Sequence, residues 1–174
     1  SSSINKLCAL YISMFKKKLI LFMPFIGGGG VEKNLYIIAN YLAEKIDDVT
    51  ICTLSKDKKK KFDKKIKFLT PLNQINQKIS IRLKYILCLY ILFKFLLKNK
   101  NSVVFAFQAN IYCILLCKFL GVKIISRSNT SPSGWDHNII KKNIYKAIIA
   151  KADIVIVNSF KLKKQMQDNF KIKV

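Results

Sequence analysis

Four consecutive glycines, Gly27 to Gly30, follow the apolar run Leu19-Ile20-Leu21-Phe22-Met23-Pro24-Phe25-Ile26 and precede Val31-Glu32-Lys33-Asn34. Without Cβ atoms the turn is free to take positive φ, and a bulky anion can come close to its N–H groups. The segment that leaves it carries Leu35, Ile38, Ala39 and Leu42 at helical spacing. Those N–H groups therefore stand at a helix N-terminus, where unpaired donors and the positive end of the helix dipole favour phosphate. The spacing excludes one common cradle and argues against another. A P-loop closes on Gly-Lys followed by Ser or Thr, whereas Gly30 is followed by Val31-Glu32. A dinucleotide turn needs Gly-x-Gly-x-x-Gly, but Gly27-x-Gly29 ends on Glu32 and Gly28-x-Gly30 ends on Lys33. Nor does an acid end the second strand, Val49 to Leu54, where a ribose would be held. A tight strand-to-helix turn without a ligand stands beside the phosphate reading.

Other groups with chemical potential gather in short polar stretches: Phe107-Gln108-Ala109-Asn110, Arg127 to Trp135, and Asn158-Ser159. Arg127 suits bidentate pairing with a phosphate, or else a surface salt bridge. The five cysteines form no Cys-x-x-Cys pair and mostly lie in apolar runs, where a thiol packs as a small hydrophobe. A reducing compartment without disulfides is expected. Cys113 and Cys117 are one helical turn apart, yet His137 is the only histidine and no second pair completes a metal site. Core packing is the expected role, and no metal is expected.

These groups need elements to hold them, and the apolar pattern supplies a regular series. Helices are expected over Asn34 to Lys45, Ile79 to Leu97, Ile111 to Leu120, Asn138 to Lys151 and Phe160 to Phe170. Gly121 should stop the third, and Asn158-Ser159 should cap the last. Strands are expected at the Leu19 run, Val49 to Leu54, Ile66 to Leu69, Val103 to Phe107, Val122 to Ser126 and Asp153 to Val157. The lysine run Lys56 to Lys65 reads as a solvated loop and Asn73 to Lys78 as a polar connection. Such alternation implies an α/β fold, a doubly wound parallel sheet of Rossmann-like type with helices on both faces. Ligands of such sheets lie beyond the carboxyl ends of the strands, which is where the stretches named above fall.

Gly-Gly-Val-Glu opening the first helix, Gly121-Val-Lys-Ile-Ile entering a strand that ends on a basic residue, and Ala152-Asp-Ile-Val-Ile-Val-Asn-Ser159 together resemble the N-terminal domain of the family 4 glycosyltransferases, over Lys18 to Val174. The resemblance implies the N-terminal half of a GT-B architecture, in a retaining enzyme that moves a sugar from a nucleotide sugar to a glycan or lipid-linked acceptor. It implies polysaccharide or lipopolysaccharide biosynthesis and no cofactor beyond the nucleotide-sugar donor as co-substrate. Gly28, Gly29 and Gly30 would approach the donor diphosphate. Gln108, Arg127, Ser128, Asn129, Asn158 and Ser159 would lie on acceptor-side loops. Many relatives carry a histidine after the fifth strand; Arg127 falls near that place and is a weak candidate for catalysis, while His137 comes too late in the chain. The expected organisation is a leader over 1–13, upstream of a start at Met14, and one acceptor-side domain over 14–174. The C-terminal donor domain is expected as a missing partner, which would leave the isolated half inactive.

Lys and Arg total 32 against 9 Asp and Glu, a net charge of +23. Only Arg82 and Arg127 are arginines, and lysine is spread along the whole chain without a nucleic-acid motif, so no nucleic-acid partner is expected. The excess suits an anionic membrane surface. Tyr85 to Phe93, the longest apolar run of its helix, is far below the roughly 20 residues needed to span a bilayer. A cytoplasmic protein, peripheral at the inner face of the membrane, is expected. Two other readings remain open: the nucleotide-binding Rossmann-like domain of another enzyme, and a basic binding module without catalysis.

Overall fold

The computed structural model describes residues 18–71, 79–128 and 139–170. The leader, Met14, Cys8, the connection at 73–78, Asn129 to Trp135 and His137 lie outside these described residues. Six parallel strands form one sheet in the order β3-β2-β1-β4-β5-β6. They are β1 Lys18–Phe22, β2 Val49–Cys52, β3 Lys67–Leu69, β4 Ser102–Ala106, β5 Lys123–Ser128 and β6 Ile154–Val157. The helices between and after them are α1 Gly30–Ala43, α2 Ile81–Lys98, α3 Asn110–Phe119, α4 Ile139–Ile149 and α5 Phe160–Phe170. The expected doubly wound, Rossmann-like sheet is thus present.

Period-2 alternation divides the core between the two faces. Leu19, Leu21, Val49, Ile51, Val103, Phe105 and Ile125 point to the face covered by Leu35, Ile38, Ala39 and Leu42 of α1. Ile20, Phe22, Val104, Ala106, Ile124 and Val155 point to the other face, against α2, α3, α4 and α5. Leu19 to Phe22 are fully buried; each such side chain contributes about 1.5–3 kcal/mol by leaving water. Strands buried on both faces read as continuous apolar runs, which is why β1 and β4 stand out in the sequence.

Several local expectations shift. Helix α1 begins at Gly30, four residues before Asn34, because Gly29 is its N-cap and Glu32 satisfies donors there. Lys56–Lys61 is a turn of 3-10 helix rather than plain loop, and it leads into Phe62, which is buried against Tyr36 and Phe68. Strand β5 runs two residues past Ser126, since Arg127 pairs with Ile156 and Ser128 with Val157 of β6. Ser80 caps α2 through the Leu83 N–H, 3.3 Å. Gly121 takes φ +69 after α3, and Val122 N–H donates to Cys117 O while Gly121 N–H donates to Lys118 O, a Schellman stop.

Candidate functional site

The strand order reverses between β1 and β4, which pair from Lys18↔Ser102 to Phe22↔Ala106. One connection leaves β1 toward β2 and the other leaves β4 toward β5, so a crevice opens at their carboxyl ends. The glycine turn and the stretch from Phe107 to Asn110 line it. They are joined where Phe25 N–H donates to Gln108 Oε1 at 3.4 Å. The β2 end braces the turn from the other side: Ile26 N–H donates to Ser55 Oγ at 3.0 Å and Leu54 N–H to Pro24 O at 3.0 Å.

Within the turn, the carboxylate of Glu32 is the main organiser. It is buried and accepts from Gly29 N–H at 2.7 Å and from Gly27 N–H at 3.2 Å. The first bond is the return half of a capping box, with Glu at the third helical position reaching back to the N-cap amide. A negative charge there also complements the helix dipole. The amides of Gly27 and Gly29 are therefore taken within the chain. None of the four adopts a left-handed φ. At two of them the need for glycine is spatial instead. A Cβ on Gly27 would stand 2.9 Å from the Phe25 ring, and one on Gly29 would stand 2.9 Å from Glu32 Oε2. At Gly28 and Gly30 there is open space, with no atom within 4 Å of that position.

Arg127 is not on a loop or at the surface. It ends the inner part of β5, is 6% exposed, and projects on the same face as Ile125, with Cζ 5.6 Å from the Phe107 ring centroid. Its Nε and Nη2 both donate to Asn158 Oδ1, at 3.2 and 2.8 Å. Among the described residues the hydrogen-bond partner of the guanidinium is a neutral amide, and the surface salt-bridge alternative does not hold there. Burial pulls the Arg127 guanidinium below its ordinary value. Asn110, at the start of α3, donates through Nδ2 to the Arg127 carbonyl. Two buried side-chain atoms remain without a hydrogen-bond partner among the described residues: Arg127 Nη1 and Asn110 Oδ1.

The structure thus brings Gly28, Gly30, Gln108, Arg127 and Asn158 to one edge of the sheet. Ser128 is buried in β5, and Ser159 caps α5 by accepting from Leu162 N–H at 3.2 Å. Asn129 lies outside the described residues. The sequence reading missed the roles of Glu32 and Asn110. Glu32 was findable from the Gly29-x-x-Glu32 spacing of a capping box, whereas nothing local marks the pairing of Asn110 with a strand 17 residues away. Cys52, Cys88, Cys113 and Cys117 are buried free thiols in the core, and burial pushes Cys88 and Cys113 well up. Cys52 Sγ lies 3.6 Å from Cys88 Sγ, a contact between thiols and not a disulfide.

No curated protein matches the sequence. A sequence model of the family described as Glycosyltransferase Family 4 does match, over residues 28–174. That span runs from the second glycine of the turn through β2 to β6, and on it the chain belongs to Glycosyltransferase Family 4.

Proposed function

We propose that this glycosyltransferase domain is the acceptor-side domain of a retaining, nucleotide-sugar-dependent enzyme, with the glycine turn facing the donor diphosphate. The observation that carries the reading is the open space at Gly28 and Gly30 beside the β1/β4 crevice. A helix N-terminus with two unobstructed glycines lets an anion approach the first-turn amides, which have no intrahelical carbonyl to bond. Gln108, Arg127 and Asn158, across the same edge, are the proposed acceptor-side groups. No cofactor is needed in this scheme. The test is a titration of the chain with a panel of nucleotide sugars and a panel of lipid-linked sugars. Saturable binding of at least one member of each is expected; no binding of either would sink the reading.

A specific observation also favours a lipid-linked acceptor and peripheral attachment to an anionic membrane. Helix α3 packs between α2 and α4. These helices expose Ile86, Tyr90, Tyr112, Phe119, Ile140 and Ile144, with Phe119 83% accessible. Lys94, Lys118, Lys141, Lys142 and Lys146 lie on the same helices. Apolar side chains among lysines suit an interface with anionic lipid. No helix among the described residues is long and apolar enough to cross a membrane.

A further inference from the structure

We propose that Cys52 and Cys88 form a redox latch: oxidised by a low-molecular-weight disulfide while α2 is undocked from the sheet, they close a bond that ties the helix to the carboxyl end of β2. Neither residue has a part in the crevice, so the latch is independent of the transfer reaction.

The two thiols come from different elements, 36 residues apart, and meet in the core with Sγ 3.6 Å from Sγ and Cys52 Sγ 3.8 Å from the Cys88 carbonyl oxygen. A disulfide bond is about 2.05 Å long, so closure asks the two sulfurs to approach by roughly 1.5 Å. Cys113 and Cys117 share the same buried cluster. They stand one helical turn apart on α3, where Cβ atoms are about 5–6 Å from each other, beyond the roughly 3.5–4.5 Å of a disulfide. Of these four cysteines, Cys52 and Cys88 are the pair that the fold prepares. With the helix docked both are fully buried, and burial, reinforced by the neighbouring Cys52 thiol, holds Cys88 well above its ordinary range, so neither reacts in place. Access comes from α2 itself. It buries only Cys88, Leu92 and Leu96, while Ile81, Leu83 and Ile86 of its first turns are exposed. Elements with few buried contacts belong to the low-stability end of a fold, so α2 undocks ahead of the central strands.

In the undocked chain one cysteine thiolate attacks the small disulfide and expels one thiol, leaving a mixed disulfide. The second cysteine attacks the protein sulfur of that bond and expels the other thiol. Two electrons pass from the cysteines to the reagent, and the two thiol protons end on its two sulfurs. Redocking buries the new bond, which is then shielded from reductants as the thiols were from oxidants. Beyond Cys52 the chain continues into Leu54, whose N–H donates to Pro24 O at 3.0 Å, and Ser55, whose Oγ accepts from Ile26 N–H at 3.0 Å. On the helix side, Lys84 Nζ lies 4.6 Å from the Phe25 ring centroid. The bond therefore fastens together two elements that both touch the glycine turn.

The test refolds the reduced chain from urea into buffers of reduced and oxidised glutathione, from fully reducing to oxidising. Cys8→Ser serves as the background, with Cys88→Ala and Cys113→Ala added to it one at a time. Free thiols are trapped by alkylation after acid quenching, and tryptic peptides are weighed without reduction. The expected result at the oxidising end is a linked pair of the peptides 46–56 and 85–94, which hold Cys52 and Cys88, with Cys113 and Cys117 recovered as thiols. The linked protein should melt roughly 8–15 °C higher than the reduced one, the range for a bridge closing a loop of this length in a chain of this size. Once folded, it should be reduced by dithiothreitol at least about tenfold more slowly than in urea, because the bond is out of reach. Cys88→Ala should show neither linkage nor the rise in Tm, and Cys113→Ala should show both; should Cys88→Ala not fold, the peptide map of the background chain decides alone. Glutathione retained on Cys52 or Cys88 without a bridge, a bridge to Cys113 or Cys117, no linkage at any glutathione ratio, or a linked protein with unchanged or lower Tm overturns the latch.

Discussion

Replacing the glycines of the turn one at a time separates a ligand cradle from a plain turn, because the four positions meet different surroundings. At Gly28 and Gly30 an added methyl group touches nothing within 4 Å, and neither residue has a left-handed φ. Alanine there should be neutral or stabilising by about 0.4–1 kcal/mol, through the smaller entropy of the unfolded chain. For a chain of this size that corresponds to a rise of up to roughly 4 °C in Tm. Gly29→Ala is different. Its Cβ would stand 2.9 Å from Glu32 Oε2, the atom that accepts the Gly29 amide at 2.7 Å. Displacing that carboxylate weakens a charge-assisted bond at the helix start, at a cost of about 1–3 kcal/mol. The informative variants are therefore Gly28→Ala and Gly30→Ala, examined by calorimetric melting and by nucleotide-sugar titration side by side. If the diphosphate approaches these positions, the methyl group stands in its way and affinity should fall by about tenfold or more, equal to roughly 1.4 kcal/mol, while Tm holds or rises. Unchanged affinity in both variants would make the quartet a turn and nothing more. A Tm several degrees lower for Gly28→Ala would refute the open geometry itself.

Ala109 holds φ 52 at the N-cap of α3. The left-handed conformation costs alanine about 1–2 kcal/mol, against about 0.4–1 for the added freedom of glycine when unfolded, so Ala109→Gly should raise stability modestly in urea melts. Asp153 is depressed below its ordinary value of 3.8: burial raises it, but the Lys118 ammonium at 2.8 Å and the Ile124 N–H at 2.8 Å outweigh that. Its contribution is thus present above the unfolded carboxyl value and lost as pH falls through the folded one, and urea midpoints of Asp153→Asn should decline less than wild type between about pH 5 and 2. Cys52, Cys88, Cys113 and Cys117 should react with a thiol reagent only as the protein unfolds, which a time course with and without denaturant would check. The chain should float with anionic vesicles and lose them as salt rises, each lysine contributing about 1 kcal/mol at most; equal binding to neutral vesicles would remove the electrostatic account.

What the sequence made legible follows from how strongly each element is determined by its own residues. The strands β1 and β4 lie between helices on both faces, so Leu19-Ile20-Leu21-Phe22 and Val103-Val104-Phe105 announce themselves. Gly121 and Ser159 stand where local capping chemistry puts them. Arg127 and Ser128 look like loop residues because they are polar, and only pairing with Ile156 and Val157 of β6 makes them strand. Tertiary pairing outranks local propensity there. The same holds for the site: the glycines and the local claim of Glu32 on two of their amides could be located from the turn, but the hold of Asn158 on Arg127 depends on side chains meeting across the fold.

The pairing of β1 with β4 also sets a schedule for synthesis. One edge of β1 is satisfied as soon as β2 emerges, but the other waits for Ser102–Ala106, roughly 80 residues after Phe22. At ribosomal rates of about 5–20 residues per second that interval is on the order of 4–16 s. Throughout it, Leu19 to Phe22 offers a row of unpaired backbone groups beside an apolar surface, the arrangement that recruits foreign strands. Substitutions that weaken β4 or delay its docking, such as a proline at Val104, should therefore lower the yield of soluble protein before they affect any assay of the finished fold.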